Sequence, residues 1–527
     1  MARPLVTAAV SSAVVVLLCA AAPVAAPSVP LLATPLAEAA ANAAQDLARV
    51  HAAALAKARE LAAWADERKL YSGRNAVHEI VLAFDPDDAD ARKALGFKKV
   101  KGEWQPPKTK REPVDECEPD VPAAFAELRR AALADLVAQL DAAFADTPRT
   151  ARTEALRRAE LARLVPFDDA SALRERLGEV WDAEAARWIL VETRDARAAR
   201  AAMAARVAEL RAALPTPETA ERDEHTRAMT GLDFTAVLRA RGVVATSTLD
   251  AAETSDLLLT ALLMRDVFLA AFPAQGAPGY PTVLYCLEPG QRGAFLEQHP
   301  LCPKEELAYR TGVTSSWLTG RLLVGATSPL MRKDVTAFQT AGYALTEKFG
   351  VWTDDGWAQQ GLTSYLAFQV TGTRLSFWDI QNKDQYGEKK LDAKNWHERV
   401  PPSTQGWLLE ASGLVAGGQS MAHFARALAS PTVTMSWEDV VTSHAVAAYL
   451  FEAKRDVLVR ILVRTKEGAP VVATFEEELG MPLEELRARL VRWIGEMEPV
   501  ALVEEAPKGG KRGGAGGAGG TPKGGGA

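Results

Sequence analysis

Seven histidines are spread along the chain, at His51, His78, His225, His299, His397, His423 and His444, and no two stand three or four apart. A helical zinc site needs that spacing, because ligands at i and i+4 share one face and reach a single ion. His78-Glu79 and His397-Glu398 begin such a pattern and do not complete it, and His299 with Cys302 is a weak metal pair. Gly418-Gln419-Ser420-Met421-Ala422 offers a different chemistry, a serine between small residues where a sharp turn could expose its hydroxyl. Its candidate partners, Asp439 and His444, fall in one predicted helical segment, which is hard to reconcile with the wide spacing of triad residues. A third constellation is chemically neutral. Gln339 and Tyr343 stand at i and i+4, with Thr340 beside the first and Gln360 on the next predicted helix.

The elements that must position these residues divide into two textures. With 527 residues and 48% hydrophobic content, the chain can build two or more cores. Residues 40–215 are rich in Ala, Leu, Arg and Glu, strong helix formers, and read as an all-helical domain. A duplication runs through it. Glu79-Ile80-Val81-Leu82, Asp87-Asp88-Ala89-Asp90-Ala91, Leu95-Gly96 and Trp104 have counterparts in Glu160-Leu161-Ala162-Arg163, Asp168-Asp169-Ala170-Ser171-Ala172, Leu177-Gly178 and Trp188. Each copy reads as a helix, an acidic turn and a second helix capped by Asp, similar to one hairpin of a tetratricopeptide-like repeat. From about residue 231 the pattern changes. Strands are expected at 243–248, 282–287 and 321–325, and helices at 251–272 and 334–349, with mostly helices to about residue 494.

The ends and the charge bound the environment. Arg3, an apolar run from Val6 to Ala22 and small residues near Ala26 and Ala37-Glu38-Ala39 read as a signal peptide and leader over residues 1–39. Export to the periplasm, cell surface or exterior follows. The later apolar run Leu257–Phe272 is broken by Arg265 and Asp266, so no transmembrane span is expected once the leader is removed. Cys286 and Cys302 could pair in an exported chain; three free thiols, counting Cys117, fit as well. Residues 506–527 form a Gly-rich tail that reads as disordered. With 61 basic against 68 acidic residues and no basic stripe, nucleic acid is not an expected partner.

The third constellation carries a resemblance. Trp357-Ala358-Gln359-Gln360-Gly361-Leu362-Thr363-Ser364-Tyr365, following the helix Phe338–Leu345, resembles the gluzincin metallopeptidases, the thermolysin-like or peptidase MA-like class, over residues 231–497. That class has His-Glu-x-x-His on one helix and Trp-x-x-Glu-Gly-x-x-x-Tyr on the next. Trp357, Gly361, Leu362 and Tyr365 keep the frame. The resemblance puts Gln339 and Tyr343 where the two histidines would be, Thr340 at the general base and Gln360 at the third ligand. Neutral amides and a protonated phenol are poor zinc donors, and threonine cannot take a proton from water near neutral pH. Gly480-Met481-Pro482-Leu483-Glu484-Glu485-Leu486 is similar to the element that caps the last helix of such enzymes.

The expected fold is therefore α+β: an all-helical N-terminal domain, then a zincin-like domain of small mixed sheet and helices, closed by a helical C-terminal subdomain. The expected function is a non-catalytic pseudopeptidase, exported, without metal or cofactor, binding or scaffolding a peptide, protein or glycan of the envelope. A basic, aromatic loop over 373–402, with Trp378, Tyr386 and Trp396, is a candidate contact for such a ligand. The alternatives are a hydrolase acting through Ser420, whose surroundings resemble the nucleophile elbow of α/β-hydrolases, and a purely structural envelope protein.

Overall fold

The computed structural model describes residues 34–497, apart from 108–112, 168–170, 223, 279–281, 313–314, 319, 326–328, 353, 373–403 and 418. The expected leader up to residue 33, the loop over 373–402 and the tail lie outside the described residues.

The N-terminal half is organised on one long helix, α1 (Thr34–Glu67). Leu47, Val50, Ala54, Ala58, Leu61 and Ala65 recur every three or four residues and are buried along one stripe. The small alanines let α2 (Tyr71–Phe84) and α4 (Val121–Ala143) approach closely, and Val77, Ile80, Phe125, Leu136 and Leu140 fill the contact. Between them, α3 (Ala89–Ala94) is capped by the Asp88 carboxylate, which accepts from the backbone N–H groups of Asp90 and Ala91. α5 (Ala151–Leu164) and α6 (Ser171–Arg176) repeat the arrangement and add Leu161, Leu164 and Leu173 to the same core.

The duplication continues past the helices. After α3 the chain turns at Gly96, φ +82°, into an antiparallel hairpin of β1 (Lys98–Val100) and β2 (Glu103–Gln105). After α6 it turns at Gly178, φ +76°, into β3 (Glu179–Asp182) and β4 (Arg187–Leu190). Arg92 lies 5.7 Å over Trp104 in the first copy, and Arg174 lies 5.5 Å over Trp188 in the second. The unit is therefore helix, short helix, glycine and β-hairpin. This corrects the expectation of an all-helical region built from helical hairpins. The strands are only three or four residues long, and Lys98-Lys99-Val100 shows no apolar alternation from which to read them. Asp168, Asp169 and Ala170, the expected cap of the second copy, lie outside the described residues.

Helix α7 (Val191–Ala212) runs on from β4, and its Ala196, Met203 and Val207 pack into a second core. The helical region 40–215 is thus shared between two cores. The second is built on a six-stranded mixed sheet in the order β5-β6-β7-β8-β10-β9, where β5 is Glu218–Thr219, β6 Ala236–Ala240, β7 Val243–Ser247, β8 Val283–Cys286, β9 Ser315–Leu318 and β10 Arg321–Val324. β7, β8 and β10 run parallel, and the outer pairings are antiparallel. Leu284 and Cys286 face a layer of helices, while Tyr285 and Leu323 face a smaller cluster around Phe234 and Phe295. Covering both faces explains the unbroken apolar runs of these strands. The short α8 (Glu224–Thr230), α10 (Arg292–Gln298) and α11 (Leu307–Gly312) connect them.

On the helical face lie α9 (Ala251–Ala271) and α12 (Pro329–Phe349). A π turn, Trp357–Leu362, leads into α13 (Thr363–Thr371). The remainder is helical: α14 (Thr404–Ala416), α15 (Met421–Ala429), α16 (Trp437–Ala453), α17 (Arg455–Lys466), α18 (Val471–Leu479) and α19 (Leu483–Glu496). Every residue of α16 from Asp439 to Glu452 is buried, which makes it the axis of this part. The class is α+β, mostly helical with a small mixed sheet. Among the described residues no helix is long and apolar enough to cross a membrane. Cys117, Cys286 and Cys302 are free thiols, and Cys286 is wholly buried.

Candidate functional site

Helix α12 buries Val335, Phe338, Ala341 and Leu345 and leaves Gln339 and Tyr343 half-buried on the face toward β9. Trp317 of β9 closes over both. Its indole Nε1 donates to Gln339 Oε1 at 2.7 Å, and its ring stacks on Tyr343 with centroids 4.7 Å apart and planes 26° from parallel. Thr340 is 3% exposed, and its hydroxyl donates back to the Thr336 carbonyl at 2.7 Å. That bond commits the hydroxyl proton within the helix, and its burial keeps solvent away.

The next element approaches α12 at Gly342. A Cβ there would stand 3.3 Å from Gln359 Nε2, so the glycine admits the amide of the π turn. Among the described residues the buried Gln359 Oε1 has no hydrogen-bond partner. Gln360, expected from the resemblance at the third-ligand position, is half-buried, and among the described residues no hydrogen bond joins it to Gln339, Thr340 or Tyr343. The structure therefore brings Gln339 and Tyr343 together under Trp317, and sets Gln359 rather than Gln360 against α12.

The residues expected to keep the frame are packed inside the second core. Trp357 is fully buried and meets Phe475 edge-on at 5.0 Å. Gly361 lies against α16 so closely that a Cβ would fall 2.5 Å from the Ser443 carbonyl. Leu362 is buried in the same core. Tyr365 donates its phenol proton to Glu452 Oε1 at 2.9 Å, and Arg200 holds both Glu452 oxygens at 2.9 Å. Burial, reinforced by the Glu452 charge, lifts the Tyr365 phenol well above its ordinary value, so it remains a donor.

Behind the frame, Ser364 Oγ lies 3.0 Å from His444 Nδ1 and 2.9 Å from the Gly361 carbonyl. Trp407, Phe368 and Tyr365 surround the imidazole at 5.0, 5.6 and 6.0 Å. Burial, with a smaller push from Arg200, drives His444 down to about 3, so the ring is neutral. Ser364 is only 3% exposed, so this serine–histidine pair is packing chemistry with no access for a substrate.

Ser420 caps α15, accepting from the His423 N–H at 3.2 Å. It follows helix α14 rather than a strand, so the strand-turn-helix of a nucleophile elbow is not formed; Gly418 lies outside the described residues. Its expected partners are engaged elsewhere. Asp439 closes a capping box with Ser436 and sits 3.1 Å from His423 Nε2, and His444 points to Ser364. His299 Nδ1 accepts from the Leu301 N–H, and the ring stacks on Phe295. Among the described residues no three His, Cys, Asp or Glu side chains group as metal ligands.

Trp317, Gln359, Ser364 and Glu452 were not singled out in the sequence. Gly320 between Leu318 and Arg321 is the one local sign of the β9–β10 hairpin that delivers Trp317. Comparison with family models, with curated proteins and with solved structures found no match.

Proposed function

We propose that this chain is an exported, non-catalytic pseudopeptidase, a gluzincin-like domain that binds an extended peptide of the envelope where the class would cut one. One observation carries the reading. The side chains at the two first-ligand positions, Gln339 and Tyr343, are occupied with Trp317, one by a hydrogen bond and one by stacking. Thr340, at the position of the general base, is turned back into its own helix. An indole thus covers the face where a metal-bound water would have to stand, and none of the three side chains offers zinc a negative charge. β9 is the edge strand of the sheet, so a peptide added to that edge would run beside the indole.

Metal analysis of the full-length protein tests the catalytic half of the proposal. The expected result is no stoichiometric zinc and no peptide cleavage. Stoichiometric zinc that disappears in Gln339→Ala or Gln360→Ala would overturn it. Titration with a library of extended peptides tests the binding half, and Trp317→Ala should weaken whatever binds. Intact mass of the secreted form should show loss of residues up to the leader end, and a retained Met1 in a cytosolic fraction would contradict export.

A further inference from the structure

A second concave site lies away from Trp317, between α7 and the corner where α16 passes into α17. Its volume is about 710 Å³, within the range of small-molecule sites. Ala199, Ala202 and Met203 of α7, with Ala270 and Phe451, supply an apolar wall. The polar wall is basic: Arg206, Lys454, Arg455 and Arg460 outnumber Glu452 and Asp456.

Three of those four cations are already matched. Arg206 pairs with Glu209 at 2.9 Å, Lys454 with Glu192 at 3.2 Å and Arg460 with Glu478 at 2.6 Å. Arg455 differs. Its Nε donates to the Phe451 carbonyl at 3.2 Å, and its guanidinium rests 4.0 Å over the Phe451 ring. Among the described residues no carboxylate lies within ion-pair distance of it. The carboxylate beside it, Glu452, is spent on Arg200 and on the Tyr365 phenol, and Asp456 is exposed. Among the described residues only its Nε makes a hydrogen bond, which leaves the two terminal nitrogens available as a fork. Burial disfavours the charge and lowers the Arg455 pKa from its ordinary value, outweighing the opposing pulls of Tyr365, Glu452 and Asp456.

We propose that this cavity binds a small amphiphilic anion, with its carboxylate or phosphate head on the Arg455 fork and its apolar body against Met203, Ala270 and Phe451. A carboxylate or a phosphate can each accept two parallel N–H bonds from a guanidinium through two of its oxygens, a match that Lys454 and its point charge cannot make. The inference is independent of the peptide reading, since Trp317, Gln339 and Tyr343 do not line this cavity.

Calorimetric titration of the full-length protein with octanoate, octyl phosphate, octanol and inorganic phosphate tests it. Octanoate or octyl phosphate should bind one to one, and the preferred head should separate a carboxylate from a phosphate source. Octanol and inorganic phosphate, each lacking half of the ligand, should bind much more weakly. Arg455→Met should weaken the anion at least about tenfold, equivalent to about 1.4 kcal/mol. Arg460→Met, at the rim, should change it less than about twofold. If Arg455→Met does not fold, Arg455→Lys keeps the charge without the fork and should still lose several-fold. Octanol binding as tightly as octanoate, unchanged binding in the folded Arg455 variant, or no binding of either anion would overturn the proposal.

Discussion

The two hairpin units share a plan and differ in what touches them. In the first, β1 and β2 are exposed along their length, with only Trp104 half-buried. In the second, Glu179 at the start of β3 and Ile189-Leu190 at the end of β4 are buried. Glu179 accepts from Arg174 within its own unit and from Arg492 of α19 at 2.5 Å. Glu496 accepts from the Leu190 N–H at 2.8 Å, the Thr193 hydroxyl at 2.6 Å and Arg492 at 2.6 Å. Arg158 adds a bidentate contact to Glu485 at 2.6 and 2.8 Å. The positions equivalent to Ile189-Leu190, one and two residues on from the corresponding tryptophans Trp188 and Trp104, are Gln105-Pro106 in the first unit. A repeated backbone thus serves once as a solvated projection and once as the clasp between two cores, and a handful of side chains makes the difference.

Removing the clasp should have the largest effect. Glu496→Ala strands a buried N–H, a hydroxyl and Arg492, a loss of about 3–5 kcal/mol. Amide hydrogen exchange in β3–β4 should then rise toward that of β1–β2; unchanged protection would mean that α19 does not hold the unit. Acid should act next. His444 is held to about 3 in the folded chain and returns to about 6.5 when unfolded, so the unfolded state binds the extra proton between those values. Stability of the second core is full above about pH 6.5 and falls as pH drops, by roughly 3 kcal/mol at pH 4. His444→Gln should flatten that dependence in thermal melts without altering the N-terminal core, and a variant with the wild-type profile would remove His444 as its source.

Two smaller comparisons sharpen the contrast. Arg174→Ala loses the contact over Trp188 and a bond to buried Glu179, and should cost about 1.5 kcal/mol. Arg92→Ala loses its contact over half-buried Trp104, a bond to the Pro86 carbonyl and one to the exposed Asp87 carboxylate, but none to a buried carboxylate, and should cost about 1 kcal/mol in denaturant melts. Equal costs would show that the clasp adds nothing at Arg174. Gly96→Ala and Gly178→Ala test the shared part. Both have positive φ, and neither Cβ would meet an atom nearer than 3.8 Å, so each should cost about the same 1 kcal/mol.

Much of this was legible in the chain. The apolar runs at 243–248, 282–287 and 321–325 became β7, β8 and β10, and the Leu95-Gly96 and Leu177-Gly178 pairs, read in the sequence only as matching positions of the duplication, fall where the chain turns at positive φ. The hairpins that follow were hidden because their strands are short and, in the first copy, exposed except for half-buried Trp104. The assignment of α7 to the second core was hidden because composition reports a helix and not its neighbour. At the site, spacing put Gln339 and Tyr343 on one face, while Trp317, 22 residues upstream of Gln339, is brought there by strand order. Likewise His444 meets Ser364 across 80 residues, and Glu452 meets Arg200 across 252, distances at which no local pattern survives.

The clasp also sets a schedule. The Leu190 N–H finds Glu496 306 residues later in the chain. At the usual pace of synthesis, about 5–20 residues per second, the hairpin of β3 and β4 waits roughly 15–60 s on the ribosome before its partner exists. The first core closes within residues 47–173 and can form meanwhile. During that interval Ile189 and Leu190 are uncovered, so nascent chains halted between residues 200 and 480 should be the ones that chaperones hold.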